Sequence, residues 1–229
     1  MLIVIFKRNL FLGESRNTIY IWKTGGIAQV VDMEHLKNID FSGRQVNPGD
    51  LYPLDINDDK VIDDKDRVIV GSPDPKFYGG FSTDFSYKGV TLNAVFNYSC
   101  GGKKLSPYYE SLITSRGTGI ASIDLLDRWT PENRGASLPR ISYTRPGNNN
   151  YQHSTFWQKN GNYLRLKNVE IGYKIPERWI GVIGAENARL YVNGTNLLTW
   201  DNVPVYDPEN TETKYPLMRI INFGVKVTF

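Results

Sequence analysis

Residues 55 to 66 read Asp-Ile-Asn-Asp-Asp-Lys-Val-Ile-Asp-Asp-Lys-Asp, which sets side-chain oxygens at loop positions 1, 3, 5, 9 and 12 with apolar Ile62 at position 8. This is the spacing of a calcium loop. A hard divalent cation needs about six to eight oxygens on a tightly curled chain. Asp55, Asn57, Asp59, the Val61 carbonyl, Asp63 and Asp66 are the candidate ligands. Lys60 stands where glycine normally permits the curl, so it costs backbone strain and adds a competing cation. Asp66 is one methylene shorter than the usual bidentate glutamate. Two readings stand, a weak calcium site and a solvated acidic turn closed by Asx caps. A helical pair around the loop is disfavoured, because Pro53 lies upstream and the Val68-Ile69-Val70 run downstream favours β.

Catalysis finds little support. His35 and His153 are the only histidines, and neither sits in a catalytic or metal-ligand motif. No phosphate-cradling glycine loop is present, and no carboxylate pair stands in the apolar setting of a glycosidase dyad. The chain is therefore read as a non-enzyme with no cofactor beyond candidate calcium. Tyr108, Tyr109, Trp129 and Tyr143 are candidates for stacking on sugars, against ordinary loop packing. Asn97-Tyr98-Ser99 and Asn193-Gly194-Thr195 match the glycosylation sequon but fall inside predicted strands, and are read as chance.

The composition fits a sheet with one wet and one apolar face rimmed by aromatics, as in a membrane barrel, and fits a soluble sugar-binding β-sandwich equally well. Aromatics reach 13%, charged residues only 22%, and mean hydropathy is −0.39. A net charge of +3 without basic runs argues against a nucleic-acid partner. Cys100, the single cysteine, excludes a disulfide-stapled domain and reads as a small strand-end residue. No run of about 18 apolar residues exists, so any membrane span must be β.

Period-2 alternation supplies such faces. From Ile221 to Phe229 every odd residue is apolar and every even one polar or glycine. Phe81, Thr83, Phe85 and Tyr87 alternate with Ser82, Asp84 and Ser86, and Leu92, Ala94, Phe96 and Tyr98 continue beyond a tight hairpin at Lys88-Gly89. Val169, Ile171, Tyr173 and Ile175 form another strand, then Leu190 and Val192 another. Leu164 and Leu166 stand out of phase with Val169, which predicts a bulge or a strand end. Leu2 to Phe6 and Thr18 to Trp22 suggest two more strands. Trp157, Trp179, Trp200, Tyr98 and Tyr163 fall near predicted strand ends, where aromatic girdles belong.

The connections are unequal. Residues 88–89 form a tight turn and 176–187 a short link, whereas 100–160 and 201–217 are long. Outer-membrane barrels pair short periplasmic turns with long outer loops. Counting back from a periplasmic Phe229 puts 25–75, 100–160 and 201–217 outside the cell.

Three segments, in order, resemble the C-terminal region of the SusC/RagA family of TonB-dependent outer-membrane transporters. The first is Pro48-Gly49-Asp50 with residues 55 to 67 and Gly71-Ser72-Pro73. The second is Tyr163 to Tyr173 followed by Pro176. The third is Ala188 to Trp200, with Tyr206-Asp207-Pro208-Glu209 and Tyr215-Pro216. Asn222, Gly224, Val227 and Phe229 resemble a barrel-insertion signal.

The resemblance implies import of oligosaccharides or peptides through an antiparallel barrel of about 22 strands, capped by a SusD-like surface lipoprotein and energised by the TonB complex. On this reading residues 1–229 are the C-terminal part of the barrel in a bacterial outer membrane, an all-β transmembrane portion of about six or seven strands among lipid, with extracellular loops at 25–75, which holds the 55–66 segment, and at 100–160. Signal peptide, TonB-interacting segment and plug are not found, so the chain is expected to be a fragment, with Met1 an internal start or boundary, and not competent for transport alone. The alternative is a soluble β-sandwich binding carbohydrate with help from calcium. A small closed porin is disfavoured because the long loops leave too few strands.

Overall fold

The alternating segments fold as strands, and among the described residues helix is confined to short turns. The computed structural model describes residues 11–105, 109–110, 113, 121–142, 149–204, 207–209 and 217–229. Among them, in chain order, lie β1 (Ile19–Trp22), β2 (Thr24–Ile27), β3 (Leu51–Pro53), β4 (Arg67–Gly71), β5 (Phe77–Tyr87), β6 (Val90–Cys100), β7 (Lys103–Leu105), β8 (Gln158–Asn160), β9 (Tyr163–Lys174), β10 (Asn187–Asp201) and β11 (Ile220–Thr228). Two short helices, α1 (Met33–Leu36) and α2 (Glu177–Ile180), and several three-ten turns accompany them. The chain divides into two compact units, Met1–Asp74 with Lys103–Lys159, and Pro75–Gly102 with Asn160–Phe229.

The second unit is one antiparallel sheet in the order β11-β10-β9-β6-β5. Its strands are 9, 15, 12, 11 and 11 residues long in that order, at or above the roughly 9 to 11 that cross a bilayer. Lys88 and Gly89 both take positive φ, 47° and 83°, the left-handed pair that a two-residue hairpin requires. Register turns the alternation of each strand into continuous rows. Phe85, Leu92, Ile171, Val192 and Phe223 are successive cross-strand partners on one face. One residue along each strand, Asp84, Asn93, Glu170, Asn193 and Asn222 make the corresponding row on the other. The apolar face stands open, with Phe223 80% exposed and Phe81, Phe85, Ile171, Leu190, Leu198 and Ile221 also exposed.

The phase slip predicted around Leu166 is a bulge. Val95 faces Asn168 and Phe96 faces Leu166, leaving Lys167 as an extra residue in β9. Against β10 the same level holds Asn196 and Leu197 opposite Lys167, between the pairs Thr195–Asn168 and Leu198–Leu166. Asn196 takes φ 53°, the left-handed region where asparagine is among the best tolerated non-glycine residues. Leu164 and Leu166 thereby rejoin the apolar face.

The first unit is built from short ladders, β1 with β4, β2 with β3 and β7 with β8, around two apolar clusters. Leu51, Ile113, Leu125, Leu138 and Trp157 form one. Ala28, Leu36, Phe41 and Ile62 form the other.

Several expectations change here. Ile19–Trp22 does form a strand, but it pairs with Arg67–Gly71 and not with the large sheet, so that sheet has five strands among the described residues rather than six or seven. Leu2 to Phe6 lie outside the described residues. The 25–75 segment contains most of β2, all of β3, β4 and α1, and the buried residues of one core cluster. Trp157 is buried in the first unit and belongs to no girdle.

Candidate functional site

The 55–66 loop has the curl that its spacing predicts. Asp58 and Lys60 take φ 62° and 63°, so Lys60 occupies the left-handed region usually given to glycine. Asp55 drives the curl by accepting from the backbone N–H groups of Asp58 at 2.8 Å and Lys60 at 2.7 Å. Asn57 accepts from Asp59 N–H, and Asp59 from Val61 N–H. Asp66 is fully buried and accepts from the N–H groups of Ile56 at 2.8 Å and Asp63 at 2.9 Å. The Asp63 carbonyl accepts from the Trp22 indole, and Arg67 stacks on the same ring at 4.0 Å.

The acidic side chains are thus turned onto the loop's own amides. Among the described residues no group of three or more His, Cys, Asp and Glu side chains is arranged to hold a metal ion. The curl of a calcium loop is present.

A second polar node in the first unit escaped the sequence reading. Asp50, fully buried, is gripped by Arg140 and accepts from Asn47 N–H and the Asn150 amide. Asn150 in turn accepts from Leu51 N–H, and its carbonyl accepts from the Trp157 indole. Gly49 has φ 90°, and a Cβ there would sit 2.4 Å from the Trp129 ring, so both its conformation and its contact require glycine. Trp129 is therefore packed against backbone beside an open groove of about 480 Å³ that Pro48, Arg128, Pro131 and Arg140 also line. Tyr109 packs edge-on to Trp157. Tyr108 and Tyr143 lie outside the described residues.

The polar face of the second unit is internally bonded. Arg189 reaches Thr91 at 2.8 Å and Glu170 at 2.8 Å, lying across Gly172, where any Cβ would collide with the guanidinium. Asn93 donates to Asp84, and Asn193 to Asn168. At the far end Arg165, almost wholly buried, binds both carboxylate oxygens of Asp207 at 2.7 Å and Glu209 at 3.2 Å, while Tyr163 donates to Glu209 at 2.9 Å. That clip holds residues 207–209 to β9. Of the predicted girdle, Tyr98 and Trp200 lie on the apolar side at this end, Tyr163 lies on the polar side, and Trp179 projects at the opposite end.

A sheet with one open apolar face and one bonded polar face calls for a comparison with known proteins. The chain is 30% identical over 233 residues to TonB-dependent receptor P3 of Formosa agariphila, covering 95% of this chain and 22% of that receptor. It is 33% identical over 216 residues to TonB-dependent receptor P26 of the same organism, covering 84% and 21%. The RagAB peptide importer in its closed-closed state superposes with a TM-score of 0.62 at 25% identity, over 93% of this chain and 23% of that one. The chain belongs to the SusC/RagA family of TonB-dependent receptors. A structure of the RagAB peptide transporter gives a TM-score of 0.66 at 24% identity, which supports the shared fold. No family model matches. This receptor segment spans about a fifth of the length of the curated relatives it matches. Those relatives are receptors rather than enzymes, and they support an outer-membrane location.

Proposed function

We propose that the second unit is a stretch of the wall of a transmembrane barrel of about 22 strands, and that the first unit lies outside the cell. The whole receptor imports oligosaccharides or peptides, with a SusD-like surface lipoprotein as partner and the TonB complex as the source of energy. The observation that carries this reading is the two-faced sheet: five strands of spanning length present unbroken apolar rows to one side and hydrogen-bonded polar rows to the other, as lipid and an aqueous lumen demand. Among the described residues the edges at β5 and β11 have no strand partner, which a bilayer does not tolerate, so this reading requires further strands on both sides and expects the chain not to be competent alone. The β-sandwich alternative is not favoured, because a sandwich would cover the apolar face with a second sheet.

A peptide cargo is supported by the likeness to the RagAB peptide importer. An oligosaccharide is supported by the family resemblance. Calcium at 55–66 is a subordinate part of the proposal, supported by the oxygen spacing and the curl. The test is uptake of fluorescent oligosaccharides and oligopeptides by cells with and without the full-length receptor, repeated with the TonB system disabled. Loss of one cargo class in both arms supports import and identifies the class. Unchanged uptake of both classes would remove the proposal.

A further inference from the structure

The link between β9 and β10 leaves the sheet on an informative side. Ala188 shares strand parity with Leu190 and Val192, and its cross-strand neighbour Ile175 shares it with Ile171 and Tyr173, the two joined by Ile175 N–H to Ala188 carbonyl at 2.9 Å. Both therefore project from the apolar face. Leu190 on the same strand is exposed, yet Ala188 is only 3% exposed, because Ile180 and Ala185 pack on it together with Ile175. So α2 and the three-ten turn Gly181–Ile183 after it are folded over the apolar side of the strand ends. Gly184, at φ 71°, reverses the chain, and Ala185 N–H closes the turn on the Ile180 carbonyl at 3.3 Å.

The outer surface of this foot is apolar. Trp179 is 60% exposed and Val182 is 88% exposed. The Arg178 guanidinium lies 5.6 Å from the Trp179 ring. Tyr87 and Tyr173 occupy the same end of the same face. Arg178 and Lys174 are offset by Glu177 and Glu186, so apolar insertion rather than attraction to an anionic surface must seat it. An indole with a cation over its ring and a bare valine, continuous with an apolar sheet face, match the boundary between phospholipid headgroups and acyl chains.

We infer that residues 176–186 form a foot that seats Trp179 and Val182 in the headgroup boundary of the leaflet at the hairpin end of the sheet. This rests on reading the apolar face as facing lipid. The test uses the full-length receptor in vesicles of phosphatidylethanolamine and phosphatidylglycerol, with Cys100→Ser and any other thiol removed. Single spin labels are placed through Val182→Cys, Phe223→Cys and the water-exposed Glu132→Cys, and accessibility to oxygen and to a nickel chelate is measured. The expected result is a Val182 label that loses most of its chelate accessibility relative to Glu132, at a depth shallower than Phe223. A Val182 label as open to chelate as Glu132, or as deep as Phe223, while Phe223 reads as lipid-buried, overturns the foot and leaves the wall intact. A Phe223 label that reads as water-exposed overturns the wall, and the foot with it.

Discussion

Arg140 grips Asp50 with two prongs, Nε donating to Oδ1 at 2.7 Å and Nη2 to Oδ2 at 3.0 Å, across 90 residues of chain. Because Asp50 is fully buried and also takes the Asn47 N–H, the pair fixes the Pro48-Gly49-Asp50 turn beneath Trp129.

Removing the guanidinium leaves a buried carboxylate short of its charge partner. Arg140→Ala is expected to destabilise the first unit by about 3 kcal/mol or more. Arg140→Lys keeps the charge without the fork and should recover only part of that. Thermal unfolding of the purified receptor, with protease sensitivity of the first unit as a second readout, measures both. A loss under about 1 kcal/mol for Arg140→Ala would show that Asp50 needs no partner.

Lys60 holds a backbone conformation that glycine adopts without strain. Lys60→Gly should stabilise the loop by about 1 kcal/mol, the cost of a non-glycine residue in the left-handed region less the added freedom of the unfolded chain. If calcium binds, removal of the cation should also enlarge the rise in Tm produced by millimolar calcium. Calorimetry of both proteins, with calcium and with chelator, checks the two effects. No calcium-dependent shift in either protein would return the loop to a self-closed acidic turn.

The two faces of the sheet predict opposite tolerance to charge. Val192→Arg puts a guanidinium in the middle of the apolar rows and should cost about 2 to 4 kcal/mol of barrel stability. Asn193→Arg, one residue along and on the polar face, should be tolerated. Heat-modifiable mobility of the receptor in isolated outer membranes reports the folded fraction. Equal behaviour of the two variants would contradict the lipid and lumen assignments.

Acid should loosen the first unit through Asp74. Hydrogen bonds from Ser15, Asn17 and Ser72 hold its carboxyl below the usual carboxylate range. A folded value below the unfolded one contributes stability that is complete above about pH 4 and drains away as pH falls through the folded value. Tm of the receptor should therefore decline more steeply below about pH 4 than that of Asp74→Asn, which has no such proton to take up. Parallel acid profiles for the two proteins would remove Asp74 from the account.

What the sequence made legible follows from the range of the interactions. Alternation is local, so the strands holding Phe81 to Tyr87, Val169 to Tyr173 and Ile221 to Val227 were readable, and so was the slip at Leu166. The strain at Lys60 was readable from loop position. Arg140 with Asp50 and Arg165 with Asp207 were not, because each pair joins ordinary charged residues 90 and 42 positions apart. Ile19–Trp22 shows why a period alone misleads: it gives a strand two faces without naming its neighbour. Trp157 sits at the mouth of a strand, as girdle residues do, and only the fold reveals that it is core. The short α2 turn carries too few residues for a helical period to emerge.

Sidedness along β9 behaves like a reading frame. Lys167 is the inserted letter: below it the odd-numbered residues Val169, Ile171 and Tyr173 face outward, above it the even-numbered Leu164 and Leu166 do. Were Lys167 drawn into the ladder instead of bulging from it, everything on its far side would transpose, sending two leucines into the polar rows and carrying Arg165 with its bound carboxylates round to the apolar side, whereas its deletion would simply close the bulge. One residue held out of the ladder decides which way a third of the strand looks.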